Sequence, residues 1–522
     1  MAFPVQKSYS TEMSAKKSTP PRNEIEKLTE RLREVTYLGT AIAVLQWDQE
    51  VTMPKKGADA RAHTISLLAG LVHNKFLEVD HDGLLSGLKK KLDGGKLSPA
   101  EATVVRETWR SFSRERKLPE TFVKEMAKLT SKSQNVWTEA REENNFAKFA
   151  PYLEQVVEKK REEAKLIGYA DSPYDALLDT YEPGMTTSEI ERIFGDLKTF
   201  LVPFLARIQK VSNNKLPHVI AKSAHFPIEK QIELSKQVAE SMGYDLDAGR
   251  IDVSAHPFTT SFHPNDVRIT TRYNPKDVLE SIFPTMHEGG HALYEQGLPH
   301  EHFGTPLADA TSLGIHESQS RLWENMVGKS LSFWKHWYPK LQKEFPGVFT
   351  APLADFYASV NIVKPTLIRV EADEVTYNLH IIIRFELEKA LIEGTIAVKD
   401  LPKLWSERYK EYLGITPKSD KEGVLQDVHW STGYIGYFPT YTLGNLYSAQ
   451  FWNTAKKQIP DLPKKIGKGD LKTLREWLRK HIHQHGKSYS AEDLALKITG
   501  EKLNPDYFSR YLEEKYTNIY KL

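Results

Sequence analysis

The sequence predicts a mainly α-helical protein with one small β-sheet, and two patterns support this prediction. Beyond residue 22, apolar residues recur at spacings of three and four within a charged background, as in amphipathic helices. The first such stretch contains Ile25, Leu28, Leu32, Val35 and Leu38. Residues 266–273 differ, because apolar or β-branched side chains alternate there with arginine and threonine, which is typical of a half-buried strand.

The chain is expected to form one domain behind a short tail. Residues 1–21 are rich in Ser, Lys, Thr and Pro and carry few side chains to bury, so a mobile N-terminal tail is expected there. Pro and Gly interrupt the helical pattern, for example at residues 274–275, 297–299 and 415–417, without forming a long flexible linker. We therefore expect a single domain over residues 22–522.

The composition excludes several classes of function. The 71 Lys and Arg nearly balance the 69 Asp and Glu, so the overall charge attracts neither nucleic acid nor an anionic membrane. The chain has no cysteine, which excludes disulfides and thiolate ligands and leaves nitrogen and oxygen to bind a metal. Neither a membrane-spanning apolar run nor the apolar core of a signal peptide is present, so a cytoplasmic protein is expected.

The most informative stretch is His287-Glu288-Gly289-Gly290-His291, which we expect to lie on a helix. Residues four apart share one face of a helix, so both imidazoles can reach one metal ion while Glu288 lies at its open side. A metal ion that keeps a water molecule lowers the pKa of that water to about 7, and an adjacent carboxylate can then accept its proton. The motif predicts metal-assisted hydrolysis, with His287 and His291 as ligands and Glu288 as the base.

The surroundings of the motif indicate where this helix begins and ends. Asn274-Pro275 offers a start, and Gly297 followed by Pro299 offers an end. Gly289 and Gly290 each cost about 1 kcal/mol relative to alanine inside a helix. Two glycines together predict the close approach of a backbone or a substrate, and we favour a functional reason over packing.

The third metal ligand is less certain from the residues alone. Catalytic zinc usually takes three protein ligands, and without cysteine the third is His, Asp or Glu. His316 and Glu317 both fall near one edge of a predicted helix, and their spacing does not choose between them. For Glu317, a surface ion pair with Arg321 is the simpler alternative.

These residues resemble the carboxypeptidase Taq (M32) family of metallocarboxypeptidases. The likeness begins with HEGGH at residues 287–291 and HESQSRLWEN at residues 316–325. It extends to WDQ at residues 47–49, HPFT at 256–259, RITTRY at 268–273, IRVEADEVTYNLH at 368–380 and DVHWSTGYIGYFPTYTLGN at 427–445. The resemblance therefore covers nearly the whole chain after the tail.

The resemblance implies a ligand set, a cofactor and partners. It implies that Glu317 is the third ligand and Glu288 the catalytic base. The implied cofactor is Zn²⁺, with Co²⁺ as a substitute, and the implied partners are peptides with a free C-terminus and a second copy in a homodimer. The implied fold is gluzincin-like, a single large helical body with a deep cleft and a small sheet next to the zinc helix. We expect loss of Glu317 to lower zinc occupancy and loss of His316 to leave it nearly intact.

A more distant likeness, to angiotensin-converting-enzyme-type peptidyl dipeptidases, concerns the substrate groups. It rests on the HPFT and RITTRY segments and on a histidine followed by a pair of tyrosines. In those enzymes the second tyrosine stabilises the oxyanion and two histidines bind substrate carbonyls, which implies these roles for Tyr437, His256 and His429, with Tyr434 beside them. The alternative for each is a hydrogen-bonded core residue.

A carboxypeptidase must also recognise a free terminal carboxylate. The lysine that those dipeptidases use corresponds to Asp427 here, so another cation must take its place. A guanidinium can donate two parallel hydrogen bonds to a carboxylate, and we expect Arg369 to do so, with Arg272 as the weaker alternative.

The local pattern predicts secondary structure around both arginines. Arg369 would open a helix and share one stripe with Asp373, Tyr377, His380 and Arg384, for which an exposed ladder of ion pairs is the alternative. The strand that contains Arg272 is expected to pair its edge with an extended peptide.

The predicted function is a zinc-dependent carboxypeptidase of broad specificity that releases single C-terminal amino acids from peptides. One alternative is an oligopeptidase or peptidyl dipeptidase with the same zinc chemistry. The other is a catalytically inactive scaffold that only binds peptides. The size of the released products distinguishes a carboxypeptidase from the first alternative, and a metal assay distinguishes it from the second.

Overall fold

The computed structural model of the chain describes residues 23–212, 219 and 224–522. Within these residues the protein is mainly α-helical and has one three-stranded sheet, so the predicted fold class is confirmed. The predicted mobile tail at residues 1–21 lies outside the described residues. Of the helices in the described part, none combines the length and the apolar character needed to cross a lipid bilayer.

The α-helices are numbered here in chain order. They are α1 (Glu24–Val51), α2 (Ala58–Leu77), α3 (Leu84–Asp93), α4 (Pro99–Glu115), α5 (Glu120–Glu142), α6 (Phe146–Ile167), α7 (Pro173–Leu178), α8 (Thr187–Ser212), α9 (Ile228–Met242), α10 (Leu279–Gly297), α11 (Leu313–Arg321), α12 (Leu331–Glu344), α13 (Leu353–Ser359), α14 (Tyr377–Glu393), α15 (Leu401–Leu413), α16 (Pro439–Gln458), α17 (Leu462–Gly467), α18 (Lys472–His481), α19 (Ala491–Thr499) and α20 (Asp506–Tyr520). Short 3-10 helices lie at Lys55–Gly57, Glu78–Asp80, His300–His302, Pro306–Ala308, Arg369–Glu371, Val398–Asp400, His429–Thr432 and His483–Ser488. A π-helix at Leu322–Gly328 continues α11.

Helix starts follow from residues that bind the free backbone N–H groups of the first turn. Asn23 and Glu26 form a reciprocal capping box at the start of α1, and Ser98 and Glu101 form another at α4. Such an N-cap typically contributes about 1 kcal/mol. These local signals fix where the N-terminal helices begin.

The apolar side chains form two clusters. The larger cluster joins residues of helices from α5 to α20 with the central strand of the sheet. The smaller cluster joins α1, α3 and α4 with Leu307, which follows α10 in the chain. The N-terminal helices therefore have a small core of their own that contacts the main body near the end of α10.

The sheet consists of β1 (Gly249–Val253), β2 (Thr259–His263) and β3 (Asp266–Thr271), in the order β1-β3-β2. β3 is parallel to β1, with Ile269 opposite Ile251, and antiparallel to β2, with Ile269 opposite Thr259. The predicted strand is therefore confirmed over most of its length.

The expectation that this strand offers its edge to a peptide is wrong. β3 is the central strand, and its backbone groups bond to β1 on one side and to β2 on the other. A peptide that adds to this sheet would have to pair with β1 or β2.

Candidate active site

The HEGGH motif lies on α10, which ends at Gly297 as predicted. The helix begins later than the expected Asn274-Pro275 start, because Asp277 Oδ1 accepts a hydrogen bond from Leu279 N at 2.9 Å and begins the helical turns there. Pro284 lies inside the helix, two residues before Met286. The motif thus occupies the middle of a helix, as its chemistry requires.

The two glycines of the motif have a packing role, which corrects the functional explanation. A Cβ on Gly290 would lie 2.7 Å from the backbone oxygen of Gln319, so α10 and α11 cross there in direct backbone contact. A Cβ on Gly289 would lie 3.0 Å from Met242 Cε on α9. Gly290 brings the helix with the two histidines against the helix with Glu317, and Gly289 leaves room for Met242 of α9.

Three side chains converge where α10 and α11 cross. The ligand atoms of His287, His291 and Glu317 all lie within 4.8 Å of one another. Glu317 Oε2 is 3.8 Å from His287 Nε2 and 3.4 Å from His291 Nε2. Ligand atoms about 2.1 Å from a tetrahedral ion lie roughly 3.4 Å apart, so two imidazoles and one carboxylate fit a divalent metal such as zinc.

The outer nitrogen of each histidine also has a partner. His287 Nδ1 lies 2.8 Å from Glu324 Oε2. His291 Nδ1 lies 2.5 Å from His316 Nδ1, and His316 Nε2 lies 2.8 Å from Glu295 Oε1. Both imidazoles are therefore oriented with Nε2 toward Glu317, the arrangement that metal-binding histidines usually show.

The structure separates the two candidates for the third ligand. Glu317 joins the convergent group, whereas His316 stands behind His291. The ion pair of Glu317 with Arg321, which was the alternative interpretation, also exists, at 2.6 Å, but the two side chains are only 9% and 14% exposed, so it is not a surface pair.

Two other segments of the chain, around Glu182 and on α16, pack closely against α11. Gly314 N in its first turn donates to the buried carboxylate of Glu182. One turn further along, a Cβ on Gly444 of α16 would lie 2.5 Å from Glu317 Cγ. These contacts fix the position of Glu317.

The surroundings of His291 and Glu317 favour the protonation states in which these two side chains can bind a metal. Burial lowers the pKa of His291 to about 4, with His316 and His287 acting in the same direction, so the imidazole is neutral near pH 7. Burial opposes ionisation of Glu317, but Arg321 and the histidines outweigh it and hold its pKa well below the usual range. His287 differs, because burial is outweighed there by the charge of Glu317 and the hydrogen bond with Glu324, which raise its pKa. The group therefore offers a neutral nitrogen at His291 and an anionic oxygen at Glu317, and a metal ion would displace any proton on His287.

Glu288 lies beside the convergent group with a partner of its own. Its side chain is buried, and Thr259 Oγ1 on β2 donates to Oε2 at 2.6 Å. Burial raises the pKa of Glu288, while His287 and the Thr259 hydroxyl act against the rise. Thr259, which follows the predicted His256 in the HPFT segment, was missed by sequence reasoning.

Tyr437, Tyr434 and His429 lie in one segment before α16. The Tyr437 ring is 5.9 Å from that of Tyr434 and 5.5 Å from that of His429, between ring centres. Burial raises the pKa of Tyr437 to about 12, with the charge of Glu317 adding to the effect. Tyr434 is 50% exposed, so one end of this segment faces solvent.

A buried carboxylate fixes the same segment. Glu388 of α14 accepts hydrogen bonds from Trp430 Nε1 at 2.7 Å, from Gly436 N at 3.1 Å and from Tyr174 at 2.7 Å. Gly436 adopts φ +94°, and a Cβ there would lie 2.9 Å from the backbone of Leu177. The backbone before Tyr437 is therefore closely constrained.

The predicted surroundings of Arg369 are wrong. Arg369 lies in a 3-10 turn, and α14 begins only at Tyr377, because Asp373 Oδ1 binds the N–H groups of Val375 and Thr376 in between. The alternative, an exposed ladder of ion pairs, does not hold for these residues either, since His380 and Arg384 are fully buried.

The guanidinium of Arg369 already has a carboxylate partner. Nε and Nη2 donate to Asp427 Oδ1 at 3.0 and 2.8 Å, and Arg384 binds the other oxygen of Asp427. Nη1 donates to the Tyr377 hydroxyl at 3.1 Å. A terminal carboxylate would have to compete with Asp427 or use the remaining N–H groups.

His256 and Arg272 lie on the sheet side of the site. His256 is exposed in the loop between β1 and β2. Arg272 follows β3, is 50% exposed and forms an ion pair with Glu280 at 3.5 Å. The described contacts do not join either side chain to the metal group.

Sequence reasoning missed the partners of the ligands. It gave no role to Glu324, Glu295 or Glu388, because their contacts with His287, His316 and Trp430 join distant parts of the chain. It noted Asp427 only as the position of the dipeptidase lysine and did not predict its bonds to Arg369 and Arg384.

The chain is similar along nearly its whole length to known metallopeptidases. The family described as carboxypeptidase Taq (M32) metallopeptidase matches residues 27–516. Thermostable carboxypeptidase 1 of Thermus thermophilus is 43% identical over 513 residues, which cover 96% of this chain and 99% of the relative. Carboxypeptidase 1 of Bacillus subtilis is 40% identical and covers 94% of this chain and 97% of the relative. The crystal structure of an M32 carboxypeptidase from Deinococcus radiodurans has a TM-score of 0.91 at 36% identity and covers 96% of this chain and 100% of its own.

Proposed function

The chain belongs to the carboxypeptidase Taq (M32) family of metallopeptidases and is a peptide hydrolase, and we propose that it is a zinc-dependent carboxypeptidase. It would release single C-terminal amino acids from peptides with broad specificity. The observation that supports this best is the convergence of His287, His291 and Glu317 next to Glu288. The family implies a divalent metal, and the nitrogen and oxygen donors favour Zn²⁺, with Co²⁺ as a substitute.

Glu288 is the proposed catalytic base. A divalent metal bound at the group would polarise the scissile carbonyl and lower the pKa of the attacking water. Glu288 would accept a proton from that water and pass it to the leaving amine. Its raised pKa strengthens it as a base, and Thr259 keeps its carboxylate in one orientation.

The segment before α16 supplies the proposed substrate contacts. Tyr437 stays protonated at neutral pH and would donate its hydroxyl hydrogen to the oxyanion. Burial lowers the pKa of His429 to about 4, and its buried Nδ1 has no hydrogen-bond partner within the described ranges. We propose that a substrate carbonyl becomes that partner once a peptide is bound. Exposed His256 and Tyr434 would contact the peptide further from the scissile bond.

Recognition of the chain end is proposed to use Arg369, with Arg272 as the alternative. Arg369 has the two-pronged geometry that suits a carboxylate, although Asp427 occupies part of it. Arg272 is more exposed and has a longer ion pair. We further propose a catalytic domain over residues 22–522, a homodimer and a cytoplasmic location.

Digestion of a mixed peptide set, followed by mass spectrometry, tests this function. The zinc-loaded protein should shorten each peptide from the C-terminus one residue at a time, and removal of the metal by a chelator should stop the reaction. Release of dipeptides or internal fragments would instead identify a peptidyl dipeptidase or an oligopeptidase. A protein that binds zinc and peptide without cleavage would be the inactive scaffold.

A further inference from the structure

The guanidinium of Arg321, which is largely shielded from solvent, contacts two carboxylates at the metal group. We propose that Arg321 is a positioning residue that restricts Glu317 to binding the metal through a single oxygen. The inference rests on the proposed metal-dependent function and assigns the coordination mode of one ligand to a residue outside the ligand set.

The two oxygens of Glu317 have different surroundings. Oε2 faces His287 Nε2 and His291 Nε2, at 3.8 and 3.4 Å. Ser320 Oγ lies 3.2 Å from Oε2, but its nearer acceptor is the backbone oxygen of Glu317 at 2.8 Å. Oε1 accepts a hydrogen bond from Arg321 Nε at 2.6 Å. Because this short charge-assisted bond engages Oε1, a metal held by the imidazoles meets Oε2 alone.

The other end of the guanidinium reaches the partner of a second ligand. Arg321 Nη1 donates to Glu324 Oε2 at 3.2 Å, and the same oxygen lies 2.8 Å from His287 Nδ1. The Arg321 side chain therefore links Oε1 of Glu317 to Glu324, the carboxylate that orients His287. Movement of Arg321 would disturb both ligands together.

Arginine suits this position better than lysine does. Its plane lies over the ring of Tyr377, with 4.4 Å from the guanidinium carbon to the ring centre, and the side chain is 14% exposed. The planar group offers N–H donors in fixed, separate directions, so it can bond to two carboxylates at once. A lysine ammonium is a single point of charge and cannot span both in the same way.

Single-oxygen binding matters because the reaction needs open positions on the metal. A catalytic site with three protein ligands keeps room for water and substrate. If Oε1 were free, both oxygens of Glu317 could bind the ion and occupy a position that water or substrate requires. Arg321 would prevent this in the resting protein.

The test uses the full-length protein loaded with Co²⁺, whose X-ray and visible absorption report the number of donor atoms. Arg321→Met removes the hydrogen bonds, and Arg321→Lys keeps the charge without the two-carboxylate contact. Arg408→Met is the matched control, because Arg408 is 43% exposed and pairs with Glu411, away from the metal group. Cobalt affinity is measured by competition with a chelator, and kcat and KM are measured separately.

We expect both Arg321 variants to bind Co²⁺ with an additional oxygen donor and weaker visible absorption than the wild type. Their kcat should fall about 10–100-fold with a smaller change in KM, as for other residues that orient metal ligands. Arg408→Met should match the wild type. If Arg321→Met does not fold, as judged by circular dichroism, Arg321→Lys decides alone.

An unchanged donor number in the folded variants overturns the inference, even if activity falls. Failure of the proposed function has a different signature. In that case the wild type itself would bind no more Co²⁺ than His291→Ala, and the inference would be rejected together with the function.

Discussion

Glu288 differs from the neighbouring carboxylates in the charge of its partner. A neutral hydroxyl, that of Thr259, bonds to Glu288, whereas Glu317 and Glu324 are both bonded to Arg321. A carboxylate without a bonded cation can exchange a proton more readily, so we expect Glu288→Gln to bind zinc normally and to lose about 10²–10⁴-fold in kcat. Metal analysis and peptide kinetics measure the two effects. Exposed Glu240 on α9 provides a matched Glu→Gln control, and wild-type turnover in Glu288→Gln would exclude it as the base.

His316 illustrates how contacts revise an expectation based on the residue order. The sequence predicted that loss of His316 would leave zinc nearly intact, but its imidazole contacts His291 Nδ1 and connects it to Glu295. We now expect His316→Ala to weaken zinc binding about 10–100-fold, because the orientation of a ligand is lost. Glu317→Ala should weaken it further, since a donor atom is lost. Chelator competition ranks the variants, and stronger binding by Glu317→Ala than by His316→Ala would reverse the assignment.

Arg369 and Arg272 can be distinguished by the charge of the substrate end. A peptide with a free C-terminal acid should be cleaved with much higher kcat/KM than its amide, because a charge-assisted contact is lost on amidation. Arg369→Ala should lose most of this preference and keep its zinc, whereas Arg272→Ala should keep the preference. The measurement is kcat/KM on matched acid and amide peptides. Full discrimination by Arg369→Ala, with loss in Arg272→Ala, would transfer the role to Arg272.

Among the helices, α11 depends on a buried carboxylate for its position. Glu182 is 1% exposed, and Gly314 N at the start of α11 donates to it. Burial raises its pKa from 4.5 to about 8. Between these values the folded protein holds a proton that the unfolded chain has released, so the stability contributed by Glu182 falls as pH rises through this window.

Glu182→Gln should remove this pH dependence. Relative to the variant, the wild type should lose up to about 1.4 kcal/mol of unfolding free energy per pH unit within the window. Urea unfolding of both proteins at several pH values from 5 to 8 measures the difference, with Glu240→Gln as the control. Parallel curves for the wild type and Glu182→Gln would show that the carboxyl group is ionised in the folded state.

Elements with a strong periodic pattern were predicted, and elements decided by single capping side chains or by no visible pattern were not. The helix of His287 and the strand β3 followed from spacing and alternation, because each pattern reports burial on one face. The helix expected at Arg369 failed, since the turn caps formed by Asp373 replace it. The π-helix after α11 left no sequence pattern by which it could be recognised.

Over the whole molecule, the site depends on contacts between distant segments. Asp427 binds Arg369 and Arg384, and Glu324 orients His287 from another helix. Periodicity describes one element at a time, so it could propose His287 and His291 as ligands, whereas Glu317 came from the family resemblance. Neither could identify the residues that hold these side chains in place. The packing of Gly444 against Glu317 likewise required the three-dimensional structure.

Because the proposed ligands come from two helices, a metal bound to them would also stabilise the whole protein. The folded chain presents three donors within 4.8 Å, which an unfolded chain does not. At a free zinc concentration of about 100 times Kd, this difference stabilises the folded state by about 2.7 kcal/mol. For a chain of 522 residues, with an unfolding entropy of about 2.1 cal/mol/K per residue, the melting temperature should rise by roughly 2–3 °C. Thermal melts of the chelated protein with and without zinc measure the rise, and His291→Ala should lose it because one donor is missing. An equal rise in His291→Ala would mean that zinc stabilises the protein from a different site.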